Sequence, residues 1–322
     1  MPLNLYDQQK RNIANTRVFI AGFVMLLAVL GLGADGVLYA GGASPGLPIA
    51  TLGALCLGGF SAWWSLHGGD QAVLESAHAR PLDPSDPRER ALDNVVEEMA
   101  IAGGLPKPAV FVIPDSDPNA FATGSGPERS SIAVTRGLLE RLSREELQGV
   151  VSHEMSHVRN YDVRLMTVVA ALAGAILLLS DWGRRGLAFG GGGRRRDSDR
   201  GGGGVAVLFA AVWIVAVVLS PIIAQIVSLA VSRQREYLAD ASGAELTRNP
   251  LALASALEKI AAAVEPTPSI KQGIAHLCIE DPRGRVIEQK RGLIADLFAT
   301  HPPIEDRIAK LREMAYQVTA GR

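Results

Sequence analysis

The chain has 322 residues, 48% of them hydrophobic, and its basic and acidic side chains balance to a net charge of −1. Near-neutrality offers no electrostatic footprint for a nucleic acid, while a mean hydropathy of +0.18 points to apolar surface that faces lipid. Two cysteines, Cys56 and Cys278, exclude a disulfide framework and an all-cysteine metal site, so any metal is left to histidines and carboxylates.

Four apolar runs follow one another along the chain. The first, 18–34, is free of charge and preceded by Lys10, Arg11 and Arg17. It exceeds the apolar part of a cleaved signal peptide and a second run follows at once, so it reads as a retained anchor. The second, 47–66, places Trp63 and Trp64 near its end, where aromatic rings favour the headgroup region. The third and fourth are 165–180 and 205–231. Crossing ~30 Å of hydrocarbon takes ~20 helical residues, which the second and fourth runs supply and the first and third reach only with interfacial flanks. The third can equally be a buried helix of a soluble core, since short apolar runs are ambiguous.

The polar segments are read as α+β. Ala91, Val95 and Met99 recur at helical spacing within 88–102, and GGLPKP breaks that helix. AVFVI (109–113) reads as a strand, and 119–124 and 131–135 as two more with turn residues between them. After the fourth run a helix over 233–246 ends at Asn249-Pro250, and two further helices are expected at 251–264 and 303–316. The expected fold is thus a mostly helical, multi-pass membrane protein with a small sheet. It divides into an anchor of two spans (1–66), a first soluble part (67–164), a membrane hairpin (165–231) and a second soluble part (232–322). Residues 183–204, rich in Gly and Arg, form a low-complexity loop within the hairpin.

Ser143 and Glu146 make a capping box that starts a helix. On it Leu147, Val151, Met155 and Val158 form an apolar stripe, and the sequence HEMSH sets His153 and His157 one turn apart. Both imidazoles can bind one ion, with Glu154 beside it to act on a bound water rather than to ligate. The bland alternative is a surface helix that happens to carry two histidines. Catalytic zinc usually takes three protein ligands plus water. Asn160 and Val163 occupy the positions where a metzincin would have glycine and a third histidine, and His67, His78, His276 and His301 lie on no adjacent turn. A carboxylate from a second helix is the other solution. Glu236, in SRQREYLAD, is the best candidate, with Asp240 one turn later to accept the second ring proton of a metal-bound histidine. Read without a metal, the same stretch is a charged helix beside the membrane. The two helices flank one membrane hairpin, which returns them to the same place at the membrane surface.

NAFATG, AVTRGLL, HEMSH followed by Asp162, SRQREYLAD and THPPIEDRI occur in this order, within a likeness that spans most of the chain, from the first apolar run to about Leu311. Together they resemble the HtpX-type membrane zinc metalloproteases, relatives of the CAAX prenyl endopeptidases. The resemblance implies a gluzincin-like endopeptidase of the bacterial cytoplasmic membrane, with its active site on the cytoplasmic side. It also implies action on misfolded or damaged membrane proteins in quality control and the stress response. Carried over by position, His153, His157 and Glu236 hold one Zn²⁺ per chain, Glu154 is the general base and Asp240 the orienting partner. His301 takes a transition-state or a structural role. Asn119, Ala120, Phe121, Ala122, Thr123 and Gly124 would offer a sheet edge on which an extended polypeptide substrate adds as a strand, or else form an ordinary packed strand. The expected partners are polypeptides and the bilayer, with no nucleic acid. The loop 183–204 and the short third run depart from the family pattern.

Three rivals stand beside this reading. An intramembrane protease would carry HExxH inside its span, whereas Arg159, Asn160, Asp162 and Arg164 follow it here. A prenyl-protein endopeptidase needs a lipid-lined chamber for which four spans leave little room. A scaffold with a structural zinc has no use for Glu154.

Overall fold

The computed structural model describes residues 5–40, 46–172, 233–263, 277–279 and 302–320. Helices α1 (Leu5–Ala40) and α2 (Ile49–His67) pack side by side at the start of the chain. Asp35 of α1 caps α2 from across the pair: its carboxylate accepts from the backbone N–H of Ala50 (3.0 Å) and Thr51 (2.9 Å), donors that have no partner within their own helix. Within the described residues, Gln9–Gly33 and Ile49–His67 are the two helices long and apolar enough to cross a membrane. Val18, Met25, Val29, Leu32, Phe60, Trp63 and Trp64 stand exposed along them, an apolar surface that suits lipid better than water. The first helix is longer than the run 18–34, because the polar turns before that run continue it without a break.

Helix α3 (Gly69–Ser76) leads into strand β1 (Arg80–Pro81). Helix α4 (Pro87–Gly103) starts on Asp86, whose side chain accepts from the Arg88 and Glu89 N–H groups, with Pro87 at the first helical position. It ends on Gly104 at φ 62°, a left-handed cap. Strands β2 (Ala109–Ile113), β3 (Ala120–Gly126) and β4 (Arg129–Thr135) follow. The four strands lie in the order β1-β2-β4-β3, with β2 and β4 parallel and the other two pairings antiparallel, so the sheet is mixed. Both faces are covered. Val110, Val112, Ala120, Ala122, Ile132 and Val134 point to the main core, formed with α4 and the later helices. Ile113, Phe121 and Ala133 point the other way, to a smaller core with Val73, Leu74, Met166, Leu277 and Cys278. Burial on two sides explains why these strands read as continuous apolar runs rather than alternating ones.

After α5 (Arg136–Arg141), helix α6 (Arg144–Arg159) begins at Ser143, where both halves of the capping box form. It is buried from Glu146 to Val158, with Gln148 its one partly buried position, because β3, α4, α7 (Arg233–Thr247) and α8 (Pro250–Ala261) surround it. Two glycines permit that crowding. A Cβ at Gly149 would lie 2.9 Å from the Leu253 Cα, and one at Gly243 would lie 3.0 Å from the His153 N, which sets α7 directly against the histidine-bearing turn. Helix α9 (Ile304–Ala320) closes the bundle over α8 and α7.

The third apolar run enters the described residues only at its start. Residues 162–172 are helical, and Val168 and Leu172 pack with Phe23 and Leu27 of α1. The rest of that run, the loop 183–204, the fourth run, His276 and His301 lie outside the described residues. The fold is therefore mostly helical with a small mixed sheet.

Candidate active site

Helices α6 and α7 bring the predicted residues together. His153 and His157 project from successive turns of α6, and Glu236 faces them from the first turn of α7. All three are buried, and their donor atoms lie within 4.8 Å of one another. The two Nε2 atoms are 3.2 Å apart, and the Glu236 oxygens sit 3.6 Å from His157 Nε2 and 3.7 Å from His153 Nε2.

The outer nitrogens are occupied too. His153 Nδ1 lies 3.0 Å from Asp240 Oδ1, and His157 Nδ1 lies 3.2 Å from Asp162 Oδ2. A carboxylate at each Nδ1 fixes the proton there and leaves each Nε2 free to face Glu236. Asp240 takes the place the sequence predicted for it. Asp162 supplies a second such partner that sequence reasoning missed, although it stands five residues past His157 in the motif.

Arg307 of α9 is a further residue the sequence did not single out. Fully buried, it clasps Asp240 through two bonds, Nε to Oδ2 at 2.9 Å and Nη2 to Oδ1 at 2.7 Å. Its Nη1 donates to the Ile279 carbonyl at 2.8 Å and lies 3.6 Å from Glu236 Oε2. Arg307 belongs to the stretch THPPIEDRI, in which the histidine drew the attention.

The charges are strongly coupled. Burial pushes the Asp240 carboxyl upward, but Arg307 and His153 prevail and hold it at about 2. Arg307 is itself held above its ordinary value: burial works against the charge, and Asp240 and Glu236 outweigh burial. Burial likewise disfavours a charged His157, yet Asp162, Glu236 and Glu154 raise it to about 9. Burial also raises Glu154, against the opposing pull of His153 and His157. The negative field that raises His157 favours any cation at the same point. Two imidazole nitrogens and a carboxylate, converging in such a field, fit a divalent metal ion.

Glu154 accepts a hydrogen bond from the Ala122 N–H, which ties α6 to β3. That strand is the outer edge of the sheet, and other groups on the edge are also engaged. The Ala120 carbonyl accepts from the Ile279 N–H at 2.9 Å, Phe121 bridges to Cys278, and the Gly124 N–H donates to Thr167 Oγ1 at 3.1 Å. Asn119 is buried below the edge, with its N–H on Thr135 Oγ1 and its side-chain oxygen on the Ala120 N–H.

An HExxH helix whose histidines meet a glutamate from a second helix defines a metalloprotease-type centre. The model of peptidase family M48 matches residues 86–315, and the chain belongs to that family. Among its relatives is a protein named "Protease HtpX homolog" from Lactiplantibacillus plantarum, 45% identical over 310 residues, which cover 96% of this chain and 100% of that one. Another of the same name, from Thermoanaerobacter pseudethanolicus, is 41% identical over 310 residues, 96% of this chain and 98% of that one. These relatives bear out the resemblance read from the motifs. The crystal structure of S. mikatae Ste24p aligns with a TM-score of 0.48 and 17% identity, covering 95% of this chain and 66% of that one, just under two thirds of its length. The chain is a metalloprotease, and two helices among its described residues are long and apolar enough to cross a membrane. The family implies a metal, which His153, His157 and Glu236 are placed to hold.

Proposed function

We propose that this protein is a zinc endopeptidase of the cytoplasmic membrane that cleaves misfolded or damaged membrane proteins on the cytoplasmic side. The observation that carries the reading is the convergence of His153, His157 and Glu236, with Glu154 on the same turn. Two nitrogens and one carboxylate suit a catalytic zinc with an open fourth position. When bound, zinc lowers the pKa of a water ligand to ~7 and polarises a peptide carbonyl. Glu154 takes the proton of the attacking water and passes it to the leaving amine. Asp240 and Asp162 accept the Nδ1 protons of the two histidines, and Arg307 keeps Asp240 ionised while it does so.

The proposed substrate site is the outer edge of β3. An extended polypeptide that added there would run past Glu154 with main-chain bonds that tolerate many sequences. Ile279 and Thr167 bond that edge in this structure, so the substrate strand would take over their positions or continue beyond them. Lys10, Arg11 and Arg17, ahead of the charge-free run 18–34, support a cytoplasmic N-terminus, and two crossings return residue 67 onward to that side. The hairpin 165–231 then crosses twice more between the two soluble parts.

The test is casein hydrolysis by the purified full-length protein. Activity should vanish with a zinc chelator and return with stoichiometric zinc. Hydrolysis that ignores the chelator would overturn the assignment of the metal. A Glu154→Gln variant expressed in cells should retain membrane proteins with disordered cytoplasmic segments, and capture of soluble proteins alone would overturn the substrate class.

A further inference from the structure

The end of the catalytic helix is held from the other end of the chain. Gln9 Nε2 of α1 donates to the Arg159 carbonyl at 2.9 Å, and Asn12 Nδ2 donates to the Asn160 carbonyl at 2.8 Å. These carbonyls lie at the C-terminal end of α6, among the last acceptors of the helix. Asn12 does more than cap. The same Nδ2 lies 2.6 Å from Asp162 Oδ1, while the other oxygen, Oδ2, faces His157 Nδ1 at 3.2 Å. Asn12 is 3% exposed and Asp162 1%, so water does not compete for either bond. Arg235, a cation near this carboxylate, keeps its Nη1 3.7 Å from Oδ1, outside hydrogen-bond distance.

A carboxylate rotates about its last bond unless both oxygens are held. Asn12 holds one of them, and an amide does so without cancelling the charge that the other oxygen presents to the imidazole. Asn12 also belongs to a long helix, and its carbonyl accepts from Thr16 Oγ1 at 2.8 Å within the same buried turn. The side chain therefore starts from a fixed backbone.

We propose that Asn12 is a positioning residue of the metal centre, acting through Asp162 on His157, and that the anchor helix is thereby part of the active site rather than a tether. The inference rests on the reading of His157 as a zinc ligand. It gives α1 a second duty. The helix that carries the first candidate span, Gln9–Gly33, is linked to the metal centre by two successive hydrogen bonds. A shift of that span in the bilayer is transmitted to the ring that binds the metal.

The experiment uses the full-length protein in detergent and three variants, Asn12→Ala, Asn12→Asp and Gln9→Ala. Zinc loss to excess chelator, kcat, KM and the melting midpoint are measured for each. Loss of a partner behind a metal ligand typically costs ~10–100-fold. Asn12→Ala should shed zinc about 10-fold faster and lose about 10-fold in kcat, with KM within about twofold of the parent. Asn12→Asp keeps the size but turns an oxygen toward Asp162, and should do at least as much. It carries the test if the alanine variant does not fold. Gln9→Ala removes a neighbouring, exposed bond between α1 and α6 without touching Asp162, and should match the parent in zinc retention. Parental zinc loss and kcat in the Asn12 variants would overturn the inference and leave the zinc reading intact. Equal losses in Gln9→Ala would also overturn it, since docking of α1 rather than orientation of Asp162 would then be the cause. A parent that neither holds zinc nor cleaves would overturn both readings.

Discussion

Arg307 holds both oxygens of Asp240 along the Nε–Nη2 edge of its guanidinium, at 2.9 and 2.7 Å, and Asp240 in turn faces His153 Nδ1 at 3.0 Å. A fork bound to a carboxylate fixes direction as well as charge. This chain of contacts runs from α9 to α6, and it makes α9 a support of the proposed zinc site.

The Asp240 end of that chain gives a graded prediction. Asp240→Asn should lower the peptidase rate ~10–100-fold, the usual range for a partner behind a ligand, and less than removal of a ligand does. Arg307→Ala should be more harmful to folding, because it leaves Asp240 buried without the guanidinium that bonds both its oxygens. Rates, zinc content and melting midpoints of the two variants separate these effects. Equal rates in Asp240→Asn and the parent would confine Asp240 to the structure of α7.

Glu154 and Glu236 should fail in different ways. Glu154→Gln keeps the three donor atoms and removes the proton acceptor, so zinc should stay while hydrolysis falls at least ~100-fold. Glu236→Gln weakens a ligand, so zinc itself should be lost on dialysis. Metal analysis beside casein turnover reads both. Normal turnover by Glu154→Gln, or parental zinc retention by Glu236→Gln, would reverse the roles proposed for them.

The site shows what one sequence can and cannot reveal. His153, Glu154 and His157 are legible because a helix repeats every turn, so their spacing alone fixes a common face. Glu236 and Asp240 follow from needing a carboxylate on a second helix. Asp162 and Arg307 escape that logic. Their work depends on tertiary contacts, and one arginine among the charged residues of an amphipathic helix, beside Lys310 and Arg312, reads as a solvated charge. The same reason hides α1: the polar turns before the run 18–34 look like a flank, yet Asn12 and Thr16 are buried against the protease part. Strand β1 has two residues, too few for any periodic signal. Strands β2, β3 and β4 are found near their expected places because apolar residues bounded by glycine and proline leave little else to form.

Zinc uptake should release protons. Without metal, the neighbouring acids hold His157 at about 9, above its ordinary value of 6.5, so the ring is charged at neutral pH. A ligand must be neutral, and zinc must therefore displace that proton. The sign is the same in two measurements. Apparent zinc affinity should fall as pH drops below about 9, by close to tenfold per pH unit for this single proton. In the metal-free protein, the stability contributed by charged His157 is fully present below pH 6.5 and is lost as pH rises through about 9. Calorimetry of zinc binding at pH 7.5, in two buffers of different ionisation heat, should give about one proton released. No release would show that His157 is already neutral and that the acids around it do not act as described.

The orientation of the hairpin 165–231 is the most exposed of the proposals. The positive-inside rule places the N-terminus and both soluble parts in the cytoplasm, and Arg159, Arg164, Arg233 and Arg235 beside the hairpin agree with it. Full crossing nevertheless exports Arg184, Arg185, Arg194, Arg195, Arg196 and Arg200 against only Asp181, Asp197 and Asp199. Two accounts compete. In one the hairpin inserts late, after the first two spans have fixed the orientation. In the other the short third run lets the hairpin dip and return without crossing. Residues 162–172 pack beside α1 through Val168 and Leu172, so the third run starts parallel company with a helix that carries a candidate span. The run 205–231 is also free of charge and long for a shallow dip. Full crossing is therefore expected. A cysteine at Gly192, in a variant with Cys56→Ala and Cys278→Ala, should react with an impermeant maleimide added to intact cells. Labelling that needs the membrane opened first would reject the crossing and leave the re-entrant hairpin.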